Sequence, residues 1–428
     1  STPPPPPRST SSLFPFIPFA SLHIMPLRPL QKAEAELPTA PQPTAAQDSV
    51  PLVAAPPADC PGPSSESAGK SDSCAGCPNQ NICASSGTAR ENEKKEMVKQ
   101  GRLIEQRLHQ VGGVFLIMSG KGGVGKSTLT VHLAEAISTM VRRRRRADAN
   151  TDSPSTKKAR RNNDSHQEVD DDDEDDDEPV SVGLLDIDIC GPSLPRLLGN
   201  VSGSVRTSAS GWEPQWITES IGLMSIAFLL EREDQAVVWR GGKKDGLIRQ
   251  FLRDVEWGAV DALLVDTPPG TSDEHLSIVQ YLKESGKLRG AILVSTPQEV
   301  ALADVRKQLA FCRKVKVPVI GLVENMAGFV CRKCGTTSVI FPPSAGGVGA
   351  LAAAENIPLL GSLPLDPAIG QRCDTGRVLG CLTDAETASS PAMEELRRIR
   401  AKLAPLVSPP DAAWELVPPS DSAATQTS

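Results

Sequence analysis

The sequence predicts a doubly wound α/β domain on a mostly parallel sheet, with low-complexity segments before, within and after it. Three observations carry that expectation. Short β-branched apolar runs recur between residues 114 and 365 and are too short for helices. Longer stretches of helical periodicity separate them, the alternation that builds βαβ units. A glycine-rich turn, Ser119 to Thr128, joins the first apolar run to the first of those helices.

Taken in order, residues 1–58 are rich in Pro, Ala and Ser and are expected to form a disordered tail. Residues 59–110 combine a cysteine segment, CPGPSSESAGKSDSCAGCPNQNIC, with a charged helical stretch from about Thr88 to Gln110. The α/β domain is expected over residues 111–407. Its strands are read in VFLIMS, VGLLDID, ALLVDTPP, AILVST, VPVIGLVEN and IPLLGSLPLD. Its helices include KSTLTVHLAEAISTMV, EVALADVRKQLAFCRKV and a closing SPAMEELRRIRAKLAPL. Residues 142–179 interrupt it with opposed blocks of arginine and aspartate, which cannot bury enough apolar surface to fold and are expected to form a flexible surface loop. The basic half of that insertion is a candidate nuclear-localisation or anion-binding patch. Residues 408–428 read as a second disordered tail, and no internal repeat is visible.

Bulk properties exclude some functions. The formal charge of −7 gives no reason to expect general nucleic-acid binding. No uninterrupted apolar run reaches the roughly 18–20 residues of a membrane span. The patch LFPFIPFASLHIMP is broken by prolines, so no secretory signal is expected. The first residue is not Met, and Met25 is the expected start of translation. Ten cysteines without a signal peptide point to a reducing compartment, where clustered thiols favour metal over disulfides.

SGKGGVGKST contains the G-x-x-x-x-G-K-S pattern in its required strand–loop–helix setting. Backbone N–H groups of Gly120, Lys121, Gly122, Gly123, Val124 and Gly125 and the helix N-terminus should cradle phosphates. Lys126 should reach the terminal phosphates, and Ser127, assisted by Thr128, should hold Mg²⁺. LLDIDICGPS places Asp186 and Asp188 after one strand, and LLVDTPPGTSDEH places Asp266 after another, where a carboxylate can hold Mg²⁺ through water. This predicts Mg²⁺-dependent ATP hydrolysis by positioning and charge neutralisation. Asn325, in GLVENMAG, follows a further strand; it is either a nucleotide contact or a turn-forming Asn.

The cysteines fall into two groups. Cys60, Cys74, Cys77 and Cys83 lie in the N-terminal segment, and Cys331 and Cys334 form a C-x-x-C after a late strand. A four-thiolate set suits Zn²⁺ and Fe–S clusters alike, and ligand type alone does not separate them. Cys190 is expected to be a small buried core residue; Cys312, Cys373 and Cys381 lack ligand spacing and are treated as structural. His132 and His275 are assigned helix-face or core roles, with no catalytic base among them.

Lys121, a second lysine early in GKGGVGK, resembles the signature of the deviant Walker A ATPases. Together with CAGCPNQNIC, LLDIDICGPS, DTPPGTSDEHL, TPQEVALADVRK and the Cys331/Cys334 pair, it makes the chain resemble the Mrp group of cytosolic iron–sulfur cluster assembly scaffold ATPases. The resemblance is to the branch with an N-terminal four-cysteine motif and covers about residues 58–141 and 180–407. It implies a SIMIBI-like P-loop fold, with catalytic roles for Lys121, Lys126 and Asp188. Lys121 would cross a dimer interface to the partner's nucleotide, Asp188 would orient the attacking water, and Asn325 would contact adenine. It also implies a stable [4Fe–4S] cluster on Cys60, Cys74, Cys77 and Cys83. A labile one would bridge two subunits through Cys331 and Cys334. The implied partners are a second copy or, in a heterotetramer, the shorter paralogous ATPase, together with recipient apoproteins and targeting factors. No membrane and no direct nucleic-acid partner is implied, and the implied location is cytoplasmic, with the nucleus open. The chain departs from the family pattern in the 142–179 insertion, in the Pro-rich start and in the second glycine of WRGGKK, ending at Lys244.

Overall fold

The computed structural model describes residues 59–60, 68–144, 178–199, 204–230, 241–343, 346–407 and 414–417. The expected tail 1–58, the interior of the insertion and most of 408–428 lie outside the described residues, as does Arg240. The chain divides into two compact units, residues 1–87 and 88–428. In the first, a 3₁₀ turn at Asp72–Cys74 precedes helix α1 (Gln80–Arg107), whose end belongs to the second unit.

The second unit continues with β1 (Val114–Ser119), α2 (Lys126–Ser138), β2 (Val141–Arg144), β3 (Glu178–Pro179), β4 (Val182–Asp186) and α3 (Leu194–Leu197). Short strands β5 (Arg206–Thr207), β6 (Trp212–Glu213) and β7 (Gln215–Trp216) lead to β8 (Ile221–Ser225), α4 (Gly241–Asp254) and β9 (Ala262–Asp266). Then come α5 (Asp273–Glu284), β10 (Leu288–Ser295), α6 (Glu299–Lys314), β11 (Val319–Val330) and β12 (Thr337–Ser338). The described chain closes with α7 (Gly347–Glu355), β13 (Leu359–Leu365), α8 (Pro367–Thr375), α9 (Pro391–Leu403) and β14 (Trp414–Val417).

The main sheet runs β12-β11-β10-β1-β9-β4-β8-β7, with β13 also paired to β11. The pairs among β11, β10, β1, β9, β4 and β8, and the β11–β13 pair, are parallel; β7 and β12 are antiparallel edges. This is the doubly wound architecture that the strand–helix alternation predicts. Strands β1, β4, β8 and β9 are buried along their whole length, as expected where helices cover both faces of a sheet. β1 lies between β10 and β9, so the loop after it opens at a switch point of the sheet, where ligands of such folds bind.

Three features differ from the expectations. The end of α1 is part of the domain and not a linker: Ile104 in its last turn and Leu108 just past it are fully buried in the core. The charged stretch carries apolar residues at i and i+4, enough to seat one face. The ends of the insertion form strands: β2 pairs with β3 and with β14, which lies within the span expected as a tail. Strand β8 and its β7 hairpin are additional to the strands read from the sequence; IGLMS is too short and too mixed to stand out by pattern.

Candidate nucleotide site and cysteine pairs

The loop from Ser119 to Gly125 turns sharply enough to start α2 because Gly123 and Gly125 adopt φ of +80° and +86°. Gly120 packs so closely on α6 that a Cβ there would lie 2.6 Å from the Asp304 backbone. The Asn325 amide donates to the Val124 carbonyl (2.9 Å), tying the middle of β11 to the loop. A cavity of about 310 Å³ opens beside it, lined by Gly125, Thr128, Asn325, Leu363, Asp366 and Cys373 among others.

Register places the acidic residues together. Asp186 and Asp266 are paired across β4 and β9, and Asp266 faces Ile117 of β1. Asp266 is fully buried and takes three donors: the Lys126 ammonium (2.7 Å), the Ser127 hydroxyl (2.6 Å) and the Thr130 hydroxyl (2.9 Å). Asp186 accepts from the Asp188 N–H, the Leu194 N–H and the Ser225 hydroxyl. Burial and the neighbouring Asp266 push its carboxyl up to about 8, against the pull of Lys126. Asp188 is half-buried; burial raises its carboxyl too, Lys126 opposing and Asp266 adding to the effect.

Here Lys126 turns back onto Asp266, where the sequence predicts a reach toward phosphates. Buried carboxylates at this spacing demand a positive charge. With Asp186 mostly protonated at neutral pH, one ammonium faces Asp188 and Asp266, so among the described residues carboxylates outnumber cationic side chains at this point. Asp266 and the Ser127 hydroxyl therefore fit a divalent ion by charge and by donor type.

Other predicted residues fall as follows. Lys121 is exposed, its carbonyl accepting from the Ser119 hydroxyl (3.1 Å). His275 is fully buried; its Nδ1 accepts from the Ser272 N–H, and its Nε2 meets the Thr267 hydroxyl, which itself donates to Ile117 O. The neutral Nε2–H tautomer satisfies both contacts. Burial holds its imidazole down to about 4. His132 is also buried, and both its ring nitrogens lack a hydrogen-bond partner among the described residues.

Cys190 is corrected: it is exposed, because the chain has already left β4, and the Lys244 ammonium points at its sulfur (3.4 Å). The same ammonium pairs with Glu274 (2.7 Å), a carboxylate almost wholly buried. Sequence patterning gave no hint of this contact, because its members lie on a loop, on α4 and on α5. Of the residues treated as structural, Cys312 and Cys381 are buried, while Cys373 lines the cavity and approaches the Thr128 hydroxyl (3.8 Å).

The C-x-x-C forms a tight loop just past β11. The Cys331 N–H donates to Thr336 O (3.0 Å) and the Gly335 N–H to Cys331 O (2.8 Å). Cys331 is half-buried and Cys334 exposed. The Thr336 hydroxyl, then its backbone, then the Cys331 thiol hold the Cys334 thiol below its ordinary value. In the first unit, the Ser71 hydroxyl bonds Cys74 (3.1 Å) and is the main reason its thiol lies low. Burial, then Cys60, Cys77 and Cys74, raise the thiol of Cys83. Cys60, Cys74 and Cys77 thus each lie within electrostatic reach of Cys83. Among the described residues, no group of three or more Cys, His, Asp and Glu is already set as a metal cage.

Residues 110–173 and 176–404 match the family model described as ParA, NUBPL iron-transfer P-loop NTPase. The chain belongs to this ParA family. Members are P-loop NTPases, so the strand–loop–helix motif is a nucleotide site. The ParA match begins after the N-terminal cysteines and includes Cys331 and Cys334. Among solved ParA-type structures, a nucleotide-binding protein from Archaeoglobus fulgidus, in complex with ADP and with cobalt found by PIXE, is 32% identical. That match covers 69% of this chain and 96% of that one, with a TM-score of 0.49. Two septum-site relatives have lower identity. MinD of a MinC:MinD cell division complex from Aquifex aeolicus is 16% identical (68% and 95% covered, TM-score 0.41). MinD complexed with Mg-ADP from Pyrococcus horikoshii is 19% identical (68% and 95% covered, TM-score 0.40).

Proposed function

We propose that this ParA-family NTPase is a cytosolic iron–sulfur cluster assembly scaffold of the Mrp group, of the four-cysteine, nucleotide-binding protein 35 type. It hydrolyses ATP, assembles [4Fe–4S] clusters transiently and passes them to cytosolic and nuclear apoproteins. One observation carries the reading. Cys331 and Cys334 form an accessible thiol pair at the end of the strand whose Asn325 holds the phosphate loop, in a chain of an iron-transfer family.

The residues divide the work. The loop N–H groups and Lys126 bind the phosphates, Lys126 exchanging Asp266 for them. Ser127 and Asp266 hold Mg²⁺, which when bound neutralises charge on the transferring phosphoryl group. Asp188, half-buried at the mouth, orients the attacking water, and the exposed Lys121 reaches a partner's nucleotide. Two thiols per chain are half of what a [4Fe–4S] cargo needs, so assembly requires a second copy or the shorter paralogous ATPase. Cys60, Cys74, Cys77 and Cys83 hold a resident cluster. Recipient apoproteins and targeting factors complete the partners, with no membrane or nucleic acid among them, and the working location is the cytoplasm, extending to the nucleus.

The test is anaerobic reconstitution with iron and sulfide, counting iron, sulfide and zinc in wild type, Cys77→Ser and Cys334→Ser. Equal iron and sulfide are expected, with a stable fraction lost in Cys77→Ser and a labile fraction lost in Cys334→Ser. Stoichiometric zinc without sulfide would leave a nucleotide-dependent zinc protein and end the scaffold reading.

A further inference from the structure

Arg332 stands between the two cysteines of the C-x-x-C, and its Nη2 donates to both oxygens of the Asp366 carboxylate, at 2.8 and 2.9 Å. The Asp366 carboxylate is only 5% exposed, whereas the arginine is 41% exposed. Asp366 also accepts from the Ala368 N–H (3.0 Å) as the N-cap of α8. The same residue lines the cavity beside the phosphate loop, as do Leu363 to Leu365 before it and Ile369, Gly370 and Cys373 after it. One wall of the cavity is therefore bolted directly to the cysteine loop.

The other connection between the two places is weaker. Asn325, within β11, lies six residues before Cys331, which follows the end of that strand. Met326, immediately after Asn325, has φ of +57°, a left-handed conformation that a side chain of this kind rarely adopts. Pairing with β13 is in register from Val323↔Gly361 to Asn325↔Leu363, breaks, and resumes only at Phe329↔Leu365. A shift at Asn325 is absorbed in this irregular stretch before it reaches the cysteines. The guanidinium, by contrast, is held at two points, through Nη2 on the buried Asp366 carboxylate and through Nη1 on the Glu386 carbonyl (3.4 Å).

We propose that Arg332 is a positioning residue: its contact with Asp366 makes the placement of Cys331 and Cys334 depend on whether a nucleotide fills the cavity beside the phosphate loop. The proposal rests on the nucleotide-gated scaffold reading above and names the contact through which gating runs. A nucleotide that packs against the Leu363–Asp366 wall favours one setting of α8, and the arginine carries that setting to the loop. Linkage makes the effect reciprocal, so a ligand held by the two sulfurs shifts nucleotide affinity by the same factor.

The experiment uses the full chain without added iron. Alkylation of Cys331 and Cys334 by N-ethylmaleimide is followed by peptide mass spectrometry with and without saturating ADP. ADP affinity is measured in parallel by calorimetry. In wild type, ADP is expected to change the alkylation rate of the pair by about fivefold or more, the lower range of ordinary allosteric coupling. Arg332→Gln should bind ADP as wild type does yet lose the ADP dependence of alkylation. Arg332→Lys, which keeps the charge but has no second nitrogen for the Glu386 carbonyl, should retain only part of it. Full ADP dependence in Arg332→Gln would overturn the strut. So would wild-type protein that binds ADP with no change in alkylation. Failure of wild type to bind ADP would overturn the nucleotide reading itself, an outcome the calorimetry identifies separately.

Discussion

Lys126 Nζ lies 2.7 Å from Asp266 Oδ1, with side chains 6% and 0% exposed, so the phosphate-loop lysine is the counter-ion of the carboxylate that ends β9. Removing one partner of such a buried pair leaves an uncompensated charge. Lys126→Ala is expected to cost the nucleotide-free protein about 3–5 kcal/mol of unfolding free energy, besides abolishing nucleotide binding. Adding Asp266→Asn should recover most of that loss, because both charges are then gone. Urea denaturation of the two variants checks this, and a Lys126→Ala protein as stable as wild type would refute it.

His275 supplies a pH dependence. Its imidazole is held at about 4 in the folded protein, mainly by burial, against about 6.5 when exposed. Between these values the unfolded chain binds a proton that the folded chain refuses. The contribution is complete above pH 6.5 and is lost on acidification toward pH 4, about 3 kcal/mol in all. His275→Gln, whose amide oxygen can still accept from the Ser272 N–H, should lack this slope. Stability curves for both proteins from pH 4 to 7 should converge as pH falls; parallel curves would exclude the assignment.

At Gly125 two constraints coincide: φ is +86°, and a Cβ would lie 2.2 Å from Asn325 Nδ2. Gly125→Ala should weaken nucleotide binding roughly tenfold or more, since strain of about 1–2 kcal/mol falls on the loop itself. Asn325→Ala alone removes one hydrogen bond, worth about 1 kcal/mol. The double variant should bind better than Gly125→Ala but worse than Asn325→Ala, because the clash is relieved and the backbone strain is not. Titration with a fluorescent ADP orders the three.

Lys244→Ala should strand Glu274, whose side chain is 6% exposed, and lower stability by about 3 kcal/mol. Burial favours the protonated acid there, but the Lys244 and Ser272 contacts outweigh it and hold the carboxyl low. Glu274→Gln in the Lys244→Ala background should restore most of the loss. Thermal midpoints of the single and double variants provide the comparison, and no restoration would assign the effect to lost packing of the lysine stem.

The parallel sheet and the phosphate loop were legible in the sequence because both depend on local pattern. Buried parallel strands must be continuously apolar, and a loop that cradles phosphate with backbone N–H groups must be glycine-rich. Asp186, Asp188 and Asp266 were readable as strand-end acids, but that Asp186 and Asp266 stand side by side is a matter of register between β4 and β9. Contacts assembled from distant segments left no trace in the sequence: Arg332 with Asp366, and Lys244 with Glu274 and Cys190. Cys190 was misjudged for the same reason. Its neighbours Ile187 and Ile189 are buried, and only the turn after β4 carries it outward.

The small β3–β2–β14 sheet gives the insertion a closed doorway. Its two edges, Arg142 and Glu178, are paired across antiparallel strands and stand about 5 Å apart. A chain that leaves and re-enters through so narrow a gap leaves the parent domain's frame unchanged whatever lies between. The site is thus a natural splice point. A fluorescent reporter with adjacent termini, grafted between residues 145 and 177, should leave the phosphate loop undisturbed. It would mark the enzyme from the middle of its chain, with both ends of the polypeptide left as they are.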